Sequence, residues 1–180
     1  MRINRGKLKS RRFSVPKSFP SRPTTDFAKE GLFNVLENRI SLHDLRILDL
    51  CAGTGNISFE FASREAGKII AVDQNYNCVK FISSLSKELD VADDIDVIKS
   101  DVVQFVKQTS LTFDLIFADP PYAEKFHREL ADIVFERNLL SDFGWLIIEH
   151  GRDTNLTEHP NYMDQKRYGN VYFSFFNLKK

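Results

Sequence analysis

Residues 48–56, Leu48-Asp49-Leu50-Cys51-Ala52-Gly53-Thr54-Gly55-Asn56, decide the fold of this chain. An apolar run ends in a Gly-x-Gly turn, and a helical pattern follows it. Glycine at Gly53 and Gly55 lets the backbone turn sharply and come close to a ligand. A strand, a glycine turn and a helix in that order open a Rossmann-like nucleotide-binding unit. The dinucleotide fingerprint requires Gly or Ala at position 58, where this chain has Ser58, so the turn points to a single nucleoside. Twenty residues after Gly53, the run Ile69-Ile70-Ala71-Val72-Asp73 ends in a carboxylate. Asp73 is placed to accept hydrogen bonds from two ribose hydroxyls; its alternative role is to cap the following helix.

Outward from this stretch the pattern alternates. Strands are predicted over 45–50, 68–73, 95–99, 113–118 and 144–149, and helices over 55–65, 75–89, 102–108 and 124–138. Apolar strands alternating with helices imply an α/β fold with a mostly parallel sheet covered on both faces. The end differs: 163–167, a Tyr168-Gly169-Asn170 turn and 171–178 read as an antiparallel hairpin. Before the alternation, Pro16, Pro20 and Pro23 hold the chain extended. Thr24 or Thr25 then caps a helix with Ala28, Leu32, Val35 and Leu36 on one side. Residues 12–16 alternate weakly, like an edge strand.

The second chemical signal is Asp119-Pro120-Pro121-Tyr122, which follows the strand-like run 113–118. The prolines fix φ near −65° and remove backbone donors, leaving free carbonyls. An acid, a carbonyl and an aromatic ring at a strand's carboxyl end suit a flat base bearing an exocyclic amine. Such an amine is a weak nucleophile, because its lone pair is delocalised into the ring. Hydrogen bonds from its N–H groups to the Asp119 carboxylate and the Pro120 carbonyl would free the lone pair for an electrophilic methyl group. Tyr122 would stack on the base, contributing ~1–3 kcal/mol. The bland alternative is a plain proline turn. Asp49 is placed to orient the cofactor's amino group, or to be satisfied by the loop's own N–H groups. Asp101, after Ser100, can accept from an adenine amino group beside the Val102 N–H, or cap a helix. Glu149-His150 ends the fifth strand and reads as a cap of the sheet. Cys51 and Cys78 read as reduced thiols, and the four histidines show no metal-ligand spacing, so no metal is expected.

Lysines plus arginines number 25 and acids 25, but they are unevenly spread. Residues 1–24 hold Arg2, Arg5, Lys7, Lys9, Arg11, Arg12, Lys17 and Arg22 and no acid, leaving a net charge of −8 on residues 25–180. A basic arm of residues 1–24 ahead of an acidic domain at 25–180 suggests contact with a polyanion, the alternative being a solvated tail. No apolar run is long enough to span a bilayer, and the basic N-terminus lacks a secretory apolar segment. A cytoplasmic monomer is expected.

Arg22-Pro23-Thr24-Thr25-Asp26, Lys29-Glu30 and Leu32-Phe33-Asn34-Val35-Leu36 resemble the first helix of the bacterial 16S ribosomal RNA guanine-N2 methyltransferases, the RsmD family. Met1-Arg2-Ile3, Gly6-Lys7, Arg11-Arg12, the turn at 48–55, the tetrad at 119–122 and Tyr168-Gly169 are similar too, so the likeness spans nearly the whole chain. The tetrad alone is shared with DNA and protein amino-methyltransferases; the Arg-Pro-Thr-Thr-Asp segment discriminates. The resemblance implies a class I methyltransferase fold, S-adenosyl-L-methionine as cofactor, and the guanine at position 966 of 16S ribosomal RNA in the small ribosomal subunit as target. It puts Arg22, Thr24 and Thr25 beside the pocket; the charge of the arm, not the resemblance, puts Arg5, Lys7, Arg11 and Arg12 on RNA phosphates. Cys51 and Asn4-Arg5 depart from the family pattern. Two rivals are a DNA amino-methyltransferase acting on adenine N6 or cytosine N4, and a non-enzymatic ribosome-assembly protein on the same fold. The first is expected to need a recognition domain that 180 residues do not accommodate. Loss of Asp73, the glycines or Asp119 would mark the second, and all are present.

Overall fold

The computed structural model describes residues 1–21, 23–121 and 126–178. In chain order the elements are α1 (Asp26–Arg39), β1 (Arg46–Leu50), α2 (Asn56–Ser63), β2 (Lys68–Asp73), α3 (Tyr76–Glu88), β3 (Ile95–Lys99), α4 (Val102–Gln108), β4 (Phe113–Ala118), α5 (His127–Glu136), β5 (Leu140–His150), β6 (Tyr162–Tyr168) and β7 (Val171–Asn177). The strands form one sheet in the order β3-β2-β1-β4-β5-β7-β6. The first five are parallel, and β7 runs antiparallel to both β5 and β6. The chain winds outward from β1 to β3, then returns to place β4 on the other side of β1. Strand order therefore reverses between β1 and β4, where open α/β sheets bind ligands beyond the strand carboxyl ends.

The apolar strands bury both faces. On one side Ile47, Ile69, Leu115, Phe117 and Ile147 pack with Leu32, Phe33, Phe59 and Phe61 from α1 and α2. On the other, Leu48, Leu50, Ile116 and Ile148 pack with Val102, Val106, Leu130 and Val134 from α4 and α5.

Several boundaries differ from the sequence reading, each for a local reason. Helix α2 is shorter than 55–65: Gly55 is its N-cap at φ 73°, and Glu65 at φ 61° follows its end. Strand β5 begins at Leu140 rather than 144, because Leu140 pairs with Phe113 before the register shifts to Leu115 opposite Trp145. Helix α5 ends at Glu136, with Asn138 turned to φ 54°; residues 124 and 125 of its predicted span lie outside the described residues. The edge strand read at 12–16 is reduced to one bridge between Arg2 and Arg12. The C-terminal hairpin forms as read, with Gly169 at φ 64° in its turn.

The N-terminal segment is fastened to the domain. Ile3 and Leu8 are buried in the α1–α2 core. Glu60 of α2 accepts the Asn4 N–H at 2.9 Å and the Arg5 N–H at 3.2 Å, and Ser63 Oγ accepts the Leu8 N–H at 2.9 Å. Glu60 also meets Lys29 Nζ at 2.9 Å and Arg64, with the Lys29 and Glu60 side chains fully buried. Lys29 further donates to Asn56 Oδ1 at 2.9 Å and to the Arg2 carbonyl. Hydrogen bonds on every side offset the desolvation of these two charges. Among the described residues no helix is long and apolar enough to cross a membrane.

Candidate active site

Strand register brings four carboxyl groups to one face of the sheet's carboxyl edge. Asp49 is level with Phe117, and Phe117 with Ile147. One step further, Asp119 follows Ala118 and Glu149 follows the Ile148 that pairs with it. Leu50 is level with Val72, which puts Asp73 one step past it on β2. Alternate residues of a strand share a face. Asp49, Asp73, Asp119 and Glu149 thus project on the side covered by α1, α2 and α3. They line a cleft of about 900 Å³, with Asp101 and Val102 at the start of α4, Pro120, Pro121, and Pro23, Thr24 and Thr25 ahead of α1.

The glycine turn is clamped to Asp73. The Gly53 N–H donates to Asp73 Oδ2 at 2.8 Å, and the Asn75 N–H to Oδ1 at 2.8 Å. Gly53 lies at φ 56°, and a Cβ there would stand 2.8 Å from Ser21 Oγ. The N-terminal segment therefore passes close over the turn, where the positive φ favours glycine. Cys51 is itself at φ 59°, which is uncommon for a residue with a side chain and marks local strain at the mouth of the turn.

Asp49 is buried, and the Ser58 hydroxyl donates to its Oδ2 at 2.5 Å. Ser58, the residue that departs from the dinucleotide fingerprint, is thus this acid's partner. Burial pushes the Asp49 carboxyl up to about 7 against the pull of Ser58, with Asp73 adding to the rise. Asp119 is raised well above the ordinary carboxyl range, first by burial, then by Glu149 and Asp49. Asp101 caps α4, its Oδ1 accepting the Gln104 N–H at 2.8 Å. Thr25 caps α1 by accepting the Ala28 N–H at 3.2 Å. Thr24 donates its hydroxyl to Glu149 Oε2 at 3.0 Å, and its carbonyl accepts from Asn56 Nδ2 at 3.0 Å. Arg22 and Tyr122, both read as site residues, lie outside the described residues.

The basic residues read as RNA contacts stand elsewhere. Arg5 pairs with Glu37 at 2.7 Å and Lys7 with Asp94 at 3.0 Å, while Arg11 and Arg12 are exposed. None of the four lines the cleft. Glu149 was legible only as a cap of the sheet, although an acid at the carboxyl end of an apolar strand is the signal that singled out Asp73 and Asp119. Asn56 and Lys29 gave no signal of their own: each is a polar residue within a helical pattern. His150 is engaged structurally, its ring bonded to Ser174 Oγ and the Gly151 carbonyl at 2.8 Å each.

Five carboxyl groups line the cleft, and no Lys, Arg or His does so among the described residues. Pyrophosphate would be repelled there. A nucleoside bearing a sulfonium and an ammonium would find its charges matched, with Asp73 and the glycine turn available to its ribose. Among the described residues no cluster is arranged to hold a metal ion.

The fold recurs in solved structures. A hypothetical protein from Thermus thermophilus superimposes with a TM-score of 0.85 at 24% identity, covering 99% of each chain. An RNA methyltransferase from Salinibacter ruber, in complex with S-adenosyl-L-homocysteine, does so at 0.68 and 15% identity, covering 86% of this chain and 92% of that one. The fold is thus the Rossmann-like one that includes such methyltransferases, and the cleft suits a cationic nucleoside such as S-adenosyl-L-methionine. The profile of the family described as Conserved hypothetical protein 95 matches residues 1–177. Ribosomal RNA small subunit methyltransferase D of Escherichia coli K12 is 34% identical over 153 residues, spanning 83% of this chain and 71% of that protein. The Haemophilus influenzae protein of the same name is 29% identical over 184 residues, spanning 98% and 93%. The chain belongs to this family, that of the ribosomal RNA small subunit methyltransferases D.

Proposed function

We propose that this protein methylates the exocyclic N2 of a guanine in 16S ribosomal RNA within the small ribosomal subunit, acting as a cytoplasmic monomer. The observation that carries the reading is Asp119-Pro120 at the end of β4, at the reversal of strand order, in a cleft of carboxyl groups. When bound, the cofactor supplies an electrophilic methyl group on a positively charged sulfur. Asp73 and the Gly53 turn would hold its ribose, Asp101 and the Val102 N–H its adenine, and Asp49 its amino-acid end. The Asp119 carboxylate and the Pro120 carbonyl would accept the two N–H groups of the target amine. Proline at 120 has no N–H to compete for the acceptor, and Asp119's own N–H is occupied by the Leu50 carbonyl at 3.2 Å. The backbone of the tetrad is thereby tied to β1 before substrate arrives, and preorganisation of this kind lowers the barrier.

Sequence choice would come from base contacts near Thr24, Thr25, Arg22 and Tyr122, with Arg5, Lys7, Arg11 and Arg12 supplying phosphate contacts that position without specifying. The relatives named for small-subunit RNA support ribosomal RNA over DNA as the substrate. The test offers the purified protein and methyl-labelled cofactor to small subunits from cells lacking it, followed by nucleoside analysis. N2-methylguanosine at one nucleotide is the expected product. Label in N6-methyladenosine, or none in RNA, would contradict the proposal.

A further inference from the structure

Glu149 is a buried acid with no part in the contacts assigned so far to cofactor and target amine. It sits on β5, beside the strand that delivers Asp119, with only 4% of its surface exposed. The pairing of Ala118 with Ile148 sets the two acids in the same row of adjacent parallel strands, on the same face, lining the same cleft. Neighbouring strands lie about 4.8 Å apart, so their carboxyl groups are close neighbours. The Thr24 hydroxyl fixes Glu149 Oε2 from above, and Asn56 in turn fixes the Thr24 carbonyl.

We propose that Glu149 is a second working carboxylate of the active site: with Asp119 it forms a proton-sharing pair that takes up the proton the target amine sheds on methylation. This rests on the reading of the site as an amino-methyltransferase. The reaction requires such an acceptor. As the amine nitrogen bonds to the methyl carbon, the carbon–sulfur bond breaks and its electron pair goes to sulfur. The nitrogen is left cationic with two protons, and one of them must leave. Asp119, bonded to that N–H, is the first recipient. A lone ordinary carboxylate is a weak base, whereas two carboxyl groups side by side hold one proton more tightly than either alone. The upward displacement of Asp119 by Glu149 is the same effect seen from the other partner. Among the described residues, the other titratable groups lining the cleft with the pair are Asp49 on β1, Cys51 after it, Asp73 on β2, Cys78 on α3 and Asp101 before α4; the segment before α1 contributes the Thr24 hydroxyl. Asp49 adds to the upward push on Asp119, whereas burial and the surrounding carboxyl groups push the Cys51 thiol up and keep it uncharged.

The test compares wild type with Glu149→Gln, which keeps an oxygen for Thr24 but no carboxyl. Single-turnover transfer to small subunits is measured from about pH 5.5 to about 9, a span that brackets the ordinary and raised carboxyl ranges, and cofactor affinity by calorimetry. The expected result is a loss of about 100-fold in rate near neutral pH, the scale of general acid–base catalysis. Cofactor affinity should stay within a few-fold. The acidic limb of the pH–rate profile should move to lower pH, because Asp119 then ionises without the Glu149 charge beside it. A residue that only supports the fold would not move that limb. Glu149→Asp, which withdraws the carboxyl by one methylene, should lose less rate and keep the limb, and it serves as the readout if Glu149→Gln does not fold. Wild-type rate and an unmoved limb in Glu149→Gln would overturn the pair while leaving the amino-methyltransferase reading standing. Failure of the wild-type protein to methylate small subunits would instead take down that reading, and the pair with it.

Discussion

Cofactor binding should release protons, and Asp49 sets the amount. Its carboxyl is buried and raised to about 7, so near neutrality it is partly protonated in the free protein. A cationic ligand beside it favours the ionised form and drives the proton off. With a free-protein value of about 7, some nine-tenths of Asp49 is protonated at pH 6 and about one-tenth at pH 8. If the bound state is fully ionised, affinity rises about tenfold from pH 6 to pH 8, which is about 1.4 kcal/mol. Asp119, also raised, can only add to this. Calorimetry at pH 6.5 in buffers of different ionisation enthalpy should give roughly 0.8 protons released from Asp49, falling to about 0.1 at pH 8. Asp49→Asn keeps an oxygen for Ser58 and should lose that share of the release and of the pH slope. An unchanged slope and proton count in Asp49→Asn would show that Asp49 does not meet the cofactor's charge.

The same acid affects the fold. Its folded value lies above its unfolded one, so its favourable contribution is complete below about pH 4 and is lost as pH rises through 7. Asp49→Asn should therefore gain stability relative to wild type as pH rises from 5 to 8, by up to ~3 kcal/mol, in urea denaturation at the two pH values. Lys29→Met should lose ~3–5 kcal/mol in the same assay, because it strands the buried Glu60 with one cation fewer. Asp73→Ala should weaken cofactor binding by ~1–3 kcal/mol; since Asp73 also clamps the Gly53 turn, wild-type affinity in a folded variant would remove the ribose assignment. Replacing the exposed Arg11 and Arg12 together should flatten the salt dependence of small-subunit binding by ~0.7–0.9 per lost phosphate contact, without changing the nucleotide methylated.

Much of the site was legible because strand ends announce themselves. An apolar run stopping at an acid marked Asp73 and Asp119, and glycines after an apolar run marked the turn. The reason for Ser58 was not legible, since its partner Asp49 is nine residues away and the bond exists only once β1 and α2 pack. The N-terminal segment misled in one respect. Its eight basic residues suggested an arm, but Ile3 and Leu8 are core residues, and Glu60 binds the backbone at Asn4 and Arg5, a contact up to 56 residues apart that no local pattern encodes. Strand β5 was read short because Ser141-Asp142-Phe143 is not apolar; pairing of Leu140 with Phe113, rather than burial, carries the strand through it. Glu149 was visible as an acid at a strand end, but its importance depends on the register with β4, which only the folded sheet supplies.

The measurement that bears most directly on the site is single-turnover methyl transfer by Asp119→Ala to small subunits, with cofactor affinity determined on the same preparation. Contacts made chiefly in the transition state change rate rather than ground-state binding. The expected result is loss of most transfer with cofactor affinity within a few-fold of wild type. Transfer at the wild-type rate by a folded, cofactor-binding Asp119→Ala would contradict the assignment of this cleft's chemistry to Asp119.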